Sequence, residues 1–143
     1  MTRVLFLCTH NAARSQMAEG LLRHLGGRRF LVFSAGTRPT TLHPLAVVAV
    51  GEVGIDINGQ HSKDVSKYAG SPFDYVITVC DQAQEECPVF PAAGHQLHWS
   101  LPDPAATEGN ETARLAAFRR VRDDLAGYIR QFISEGEPCP AQP

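Results

Sequence analysis

The sequence predicts an α/β fold, a three-layer α/β/α sandwich around a four-stranded parallel sheet. Two observations carry this. Four short runs of β-forming residues alternate with segments of helical periodicity, and the first run, Arg3-Val-Leu-Phe-Leu7, is apolar after Arg3 with no in-and-out alternation. A strand of that kind is covered on both faces, as in parallel sheets with right-handed crossovers and helices on either side.

The first strand ends at Cys8. From Ser15 onward Met17, Ala18, Leu21, Leu22 and Leu25 recur at helical spacing until Gly26-Gly27, which predicts a helix over 14–25. Phe30-Leu-Val-Phe33 reads as a second strand, closed by Ser34-Ala-Gly36. Pro44 is suited to the first turn of a second helix carrying Leu45, Val47, Val48, Val50 and Val53, and Gly54 ends it. Phe73 to Val79 is a third strand that again finishes on a cysteine, Cys80, and Gln96-Leu-His-Trp99 is a short fourth. Thr112 to Ile133 is the closing helix, with Leu115, Phe118, Val121, Leu125, Ile129 and Phe132 as its buried stripe. Residues 1–133 thus form one domain, and the Pro- and Glu-containing tail, 134–143, is expected to be flexible.

With 143 residues, 43% of them hydrophobic, the chain can close one core without metal or disulfide staples. A formal net charge of -2 supplies no global positive field for nucleic acid or an anionic membrane. No apolar run approaches the ~20 residues that span a bilayer, so a soluble, cytoplasmic monomer is expected. Four cysteines, Cys8, Cys80, Cys87 and Cys139, without a secretory signal argue for metal or redox chemistry rather than a disulfide framework.

Ligands of open parallel sheets bind beyond the carboxyl ends of the strands, and Cys8, Ser34 and Cys80 all follow strands. Cys8 and Arg14 bracket Thr9, His10, Asn11, Ala12 and Ala13. A loop of that length can turn its amides inward while the following helix offers its own N-terminal amides and positive dipole, a cradle for a tetrahedral oxyanion. Arg14 adds a permanently charged fork, and Ser15 a hydroxyl. Facing that helix end and a guanidinium, Cys8 is expected to ionise readily and act as a thiolate nucleophile. The plainer reading, a cysteine buried inertly at a strand end, stands beside it. Asp103, before Pro104, is either a proton donor at this edge or an ordinary turn residue.

Cys8-Thr-His-Asn11 continuing into Arg14-Ser-Gln-Met-Ala-Glu-Gly20, with Ser34-Ala-Gly36, Asp103-Pro104-Ala105 and Phe118-Arg-Arg-Val-Arg-Asp123, resembles the low-molecular-weight protein tyrosine phosphatase family. The resemblance runs to about Ile133 and within the family is to the thioredoxin-coupled arsenate reductases. It implies arsenate as substrate, with phosphate or sulfate as analogues, and the loop from Thr9 to Ser15 as the oxyanion site. Cys8 would attack arsenate, Asp103 would protonate the departing oxygen, and Cys80 and Cys87 would carry a disulfide relay from Cys8 to thioredoxin. Cys139 has no part in it.

Other readings remain open at this point. Phosphatases of this fold carry a tyrosine soon after the Asp-Pro pair, whereas Ala105 and Ala106 stand here, yet a phosphatase using water after the Cys8 adduct, or a non-catalytic oxyanion-binding redox sensor, would use the same loop. Cys80 and Cys87 are alternatively small core residues, or zinc ligands with His95 or His98, although their spacing lacks the close pairing of structural zinc sites. His61, His95 and His98 read as surface or packing residues. His10 stands where the family has glycine and is similar to relatives served by low-molecular-weight thiols. The family's alkali-cation site, a potassium ion, would carry over to Asn11, Glu19 and Ser34, but Lys63 occupies a position where some relatives have an aspartate, and its charge can replace the ion.

Overall fold

A computed structural model describes residues 1–80 and 93–135. Four strands, β1 (Thr2–Cys8), β2 (Phe30–Gly36), β3 (Phe73–Thr78) and β4 (Ala93–His98), form an all-parallel sheet in the order β2-β1-β3-β4. Three α-helices are described: α1 (Arg14–Gly26), α2 (Pro44–Gly51) and α3 (Glu111–Ser134). The expected α/β fold with its parallel sheet is the observed one.

β1 lies in the middle and buries both faces. Val4, Phe6 and Cys8 join the larger apolar cluster beneath all three helices, while Leu5 and Leu7 join a smaller one with Phe73, Val76 and Val65 on the opposite face. That opposite face is closed by a 3-10 turn, Val65–Tyr68, whose Tyr68 ring meets Phe33 and Phe73 edge-on or tilted. The connection between β3 and β4 falls outside the described residues, as do Cys87, Cys139 and the tail beyond residue 135.

Element limits differ modestly from the sequence expectation, each for a tertiary reason. β2 continues through Ser34-Ala-Gly36 because those residues pair in register with Phe6, Leu7 and Cys8 of β1. β4 begins at Ala93, before the expected Gln96, since Ala93 and His95 pair with Phe73 and Tyr75. α2 stops at Gly51, and Gly54, at φ 87°, lets the Ile55 amide turn back to the Val50 carbonyl at 3.0 Å. α3 opens on Asn110, whose Oδ1 accepts from the Ala113 amide at 2.9 Å, and it buries Phe118, Val121, Leu125, Ile129 and Phe132 as its spacing predicts. No helix among the described residues is long and apolar enough to cross a membrane.

Candidate active site

The carboxyl end of β1 delivers Cys8 between its two parallel neighbours, with Cys8 paired to Gly36 of β2 and Leu7 to Thr78 of β3. The loop that follows folds down over Gly36. A Cβ at that position would lie 2.6 Å from the Thr9 carbonyl oxygen and 2.9 Å from the Asn11 amide, so only glycine admits the approach.

The loop is turned inside out relative to an ordinary turn. Every carbonyl from Thr9 to Ala13 is held from outside, by the amides of Arg38 (2.8 Å), Thr40 (3.1 Å), His43 (2.9 Å) and Met17 (2.8 Å) on Thr9, His10, Ala12 and Ala13, and by Gln16 Nε2 and Ser62 Oγ, both at 2.8 Å, on Asn11. With the carbonyls outward, the amides converge inward. Ala13, at the N-cap of α1, has no side-chain acceptor for the first-turn amides, which therefore also face the enclosed space. This is a binding geometry for an anion with several oxygens.

Asn11 is the hinge. It is the one non-glycine residue at positive φ (50°) among the described residues, a conformation that costs on the order of 1 kcal/mol and needs to be held by its surroundings. Its Nδ2 donates to Ser15 Oγ at 2.7 Å and Ser34 Oγ at 3.0 Å, and its Oδ1 accepts from the Lys63 amide at 2.9 Å and Gln16 Nε2 at 3.2 Å. Gln16 is fully buried and bridges further to the His61 carbonyl at 2.9 Å. The motif contains Gln16, but the sequence alone assigns it no role. Its position directly after Arg14-Ser15, on a helix turn too polar to be core, is the available signal.

Arg14 lies buried at the mouth of the loop. One terminal nitrogen donates to the Leu101 carbonyl at 3.0 Å, and the other stands 3.9 Å from Asp103 Oδ1. Its Nε is buried and has no partner. A buried guanidinium N–H left unpaired costs about 1–3 kcal/mol, and here it is aimed where an oxyanion would complete it. Asp103 accepts from the Ala105 amide at 3.0 Å and is the more exposed of the two. Arg14, Asp103, Pro102, Thr9, His10 and Cys80 line a cavity of about 320 Å3, which places His10 beside the chemistry as expected.

Cys8 and Cys80 come together at this point. Cys80 follows β3, the neighbour of β1, and Thr9 fixes it, with its amide donating to Cys80 Sγ at 3.3 Å and its hydroxyl 3.4 Å away. Cys8 is in turn hydrogen-bonded to Cys80, with the Cys8 thiol as the donor. Beside the expectation of ready ionisation at Cys8, the structure sets an opposing influence. The Cys80 hydrogen bond and then burial hold the Cys8 proton well above the ordinary thiol range, against the pull of Arg14 and the Thr9 amide. The reason is the second thiol, invisible to an argument made from the loop alone.

The residues named for an alkali cation form a closed network instead. Ser34 Oγ donates to Glu19 Oε1 at 2.5 Å, Arg23 pairs with Glu19 Oε2 at 2.6 Å, and Lys63 Nζ lies 3.9 Å from Oε1 while donating to the His61 carbonyl. Asn11 presents its NH2 group, not its oxygen, to Ser34. Glu19 is thus buried and neutralised by two cations, which does not fit a potassium ion. Burial pushes the Lys63 ammonium below its usual range, with Glu19 opposing that change. Of the residues named in the zinc alternative, His95 stacks on Tyr75 at 5.1 Å, His98 Nδ1 lies 2.7 Å from Thr78 Oγ1, and Cys87 lies outside the described residues. Among the described residues no three His, Cys, Asp or Glu side chains gather to hold a metal.

Comparison with known proteins agrees with this geometry. The family model for low molecular weight phosphotyrosine protein phosphatase matches residues 3–137. The arsenate reductase of Shouchella clausii is 42% identical over 134 residues, 94% of this chain and 96% of that one. A solved structure described as an arsenate reductase in the phosphate binding state superposes with a TM-score of 0.82 at 32% identity, over 94% of this chain and 98% of the other. The thioredoxin-dependent arsenate reductase of Corynebacterium glutamicum gives a TM-score of 0.70 at 32% identity, over 94% of this chain and 61% of its own. The chain therefore belongs to the low molecular weight phosphotyrosine protein phosphatase family.

Proposed function

We propose that this protein is an arsenate reductase that converts arsenate to arsenite through Cys8, Cys80 and Cys87 and is re-reduced by thioredoxin. The observation that carries the reading is the contact of two buried thiols, Cys8 and Cys80, at the lip of an anion cradle whose arginine has an unpaired N–H. A phosphatase needs the cradle and Cys8 but has no use for the second thiol. The short turn after Asp103, Pro104–Ala106, also offers no aromatic ring to stack on a phosphotyrosine. Phosphate and sulfate, near in shape to arsenate, should bind without being reduced.

In this reading the loop amides and Arg14 hold arsenate while Cys8 passes its thiol proton to an arsenate oxygen and its sulfur bonds to arsenic, an As–OH bond breaks, and Asp103 gives the departing hydroxide the proton with which it leaves as water. Cys80, its negative charge supported by the Thr9 amide and hydroxyl, then attacks Cys8 sulfur. The S–As electron pair stays with arsenic, which leaves as trivalent arsenite, and a Cys8–Cys80 disulfide forms. Cys87 attacks Cys80 and frees Cys8, and thioredoxin reduces the Cys80–Cys87 disulfide. A cytoplasmic setting and action as a monomer belong to the same reading, because such thiols persist reduced where thioredoxin and glutathione operate.

The test is arsenate-dependent NADPH oxidation with thioredoxin and thioredoxin reductase, run beside a low-molecular-weight thiol system. Cys8→Ser should be inactive, and Cys80→Ser and Cys87→Ser should each be limited to at most a single turnover. Sustained turnover by Cys87→Ser with thioredoxin would sink the three-cysteine relay, and equal activity with the small thiol alone would transfer the reductant role to it.

A further inference from the structure

Three features of the reduced site point to a ligand other than the incoming oxyanion. The end of β1 and the continuation of β3 bring Cys8 and Cys80 side by side, with the Val79 amide bonded to the Leu7 carbonyl at 2.8 Å just before them. Thr9 fixes Cys80 sulfur by two contacts, at 3.3 and 3.4 Å, so the pair is ordered before anything binds. Both thiols are buried and outside any disulfide, and a cavity opens directly beside Cys80. A preorganised pair of thiols is a chelator for soft, thiol-seeking elements.

Charge selects among them. The pair sits beside the Arg14 guanidinium and under the uncapped N-terminus of α1, a positive environment that opposes a divalent metal cation but not a neutral hydroxide of a trivalent element. We infer that the reduced Cys8–Cys80 pair binds arsenite itself, as a cyclic dithiol adduct that blocks the site. Two S–As bonds form and two As–O bonds break. Each departing hydroxide takes one thiol proton and leaves as water, one hydroxyl remains on arsenic, and arsenic stays trivalent throughout. No oxidant or reductant is consumed. This adduct differs from the step in which arsenite is expelled, because it forms on the dithiol after the disulfide has been reduced.

The inference rests on the reductase reading only for its consequence, that product returns to the regenerated site and competes with arsenate. Turnover then depends on a second activity, of the export or sequestration class, that removes trivalent arsenic.

Binding is measured on the reduced full chain with sodium arsenite alone, by intact mass and by counting thiols protected from alkylation. One arsenic per chain is expected, with a mass gain of arsenite less two waters and two protected thiols. Because the second S–As bond is intramolecular, Cys8→Ser and Cys80→Ser should each weaken binding by about 100-fold or more. Cys87→Ser and Cys139→Ser should bind as the wild type does. Loss of binding in Cys87→Ser with retention in Cys8→Ser would assign the chelate to Cys80 and Cys87 and overturn the inference. So would binding of zinc in preference to arsenite. Stabilisation of Cys80→Ser by inorganic phosphate keeps the test valid, since it shows that the loop is still folded. A wild type that binds arsenite but fails the thioredoxin assay refutes the reductase reading alone. One that turns over but ignores arsenite refutes the chelate alone.

Discussion

Two arginine clusters at opposite ends of α2 are built on opposite principles. At the Glu52 end, Arg119 grips the carboxylate with contacts of 2.6, 2.9 and 3.2 Å while Arg122 reaches the same carboxylate and the Ala49 carbonyl, so the carboxylate is held by two guanidiniums at once. At the Ala12 end, Arg14 has one bond to a carbonyl, a carboxylate held off at 3.9 Å, and a buried Nε with no partner. The first cluster is saturated around its carboxylate, the second incomplete around its arginine. Saturation serves packing, and a buried shortfall on a fork suited to two oxygens serves a ligand.

Breaking the incomplete cluster should have the largest effect. Arg14→Lys keeps the charge but loses the fork, and kcat/KM for arsenate should fall by about 100- to 1000-fold, the usual consequence of removing a preorganised donor from a transition-state anion. Phosphate at 100 times its Kd should stabilise the wild type by about 2.7 kcal/mol in thermal or urea unfolding, and the Lys variant far less. A variant within a few-fold of wild type in both assays would mean that the loop amides alone hold the anion.

Next in size is the thiol pair. Removing Cys80 deletes the largest cause holding the Cys8 proton in place and leaves burial opposed by Arg14 and the Thr9 amide. In Cys80→Ala the Cys8 pKa should fall, and its alkylation by iodoacetamide at neutral pH should quicken, because each tenfold rise in the thiolate fraction corresponds to about one pH unit. Slower alkylation would show that Cys80 activates Cys8 rather than restraining it.

What was legible in the sequence follows the same division. The apolar run before Cys8, the helical spacing from Met17 to Leu22 and the stripe from Phe118 to Phe132 placed sheet, loop and closing helix, because burial leaves a periodic trace. Cys8, Arg14, Asp103 and Cys80, which the structure brings together, stood out because their chemistry is unusual at those positions. Hidden were the residues whose roles exist only through distant partners. Gln16 reads as a helix residue until His61 and Asn11 close around it, and Glu19 as an exposed one until Ser34, Arg23 and Lys63 surround it. The influence that raises the Cys8 thiol escapes the sequence for the same reason, since its main cause lies 72 residues away, just past the end of another strand.

A smaller effect is expected beneath the loop. With Lys63 and Arg23 already on Glu19, turnover should be insensitive to replacing sodium by potassium. Lys63→Gln should lose activity several-fold, with partial rescue by potassium, because a buried carboxylate left with one partner recruits another cation. Potassium dependence in the wild type would mean that the ion displaces the Lys63 ammonium.

The smallest effect should come from the saturated cluster, and it tests whether the two ends of α2 are independent. His43, the N-cap of α2, donates its amide to the Ala12 carbonyl of the loop, while Glu52, just past its last turn, is tied to α3. The hydrogen bond from Arg119, reinforced by Arg122, holds the Glu52 carboxyl down at about 2. A carboxyl depressed in the folded state adds stability above its unfolded value, and that contribution fades as pH falls from there through about 2. Because the group is exposed, the contribution is small. Glu52→Gln should therefore unfold slightly more easily than wild type in urea at pH 7, with the difference narrowing toward pH 3, and its turnover should be unchanged. If turnover fell with the stability, α2 would be transmitting strain from α3 to Ala12, and the saturated cluster would belong to the site after all.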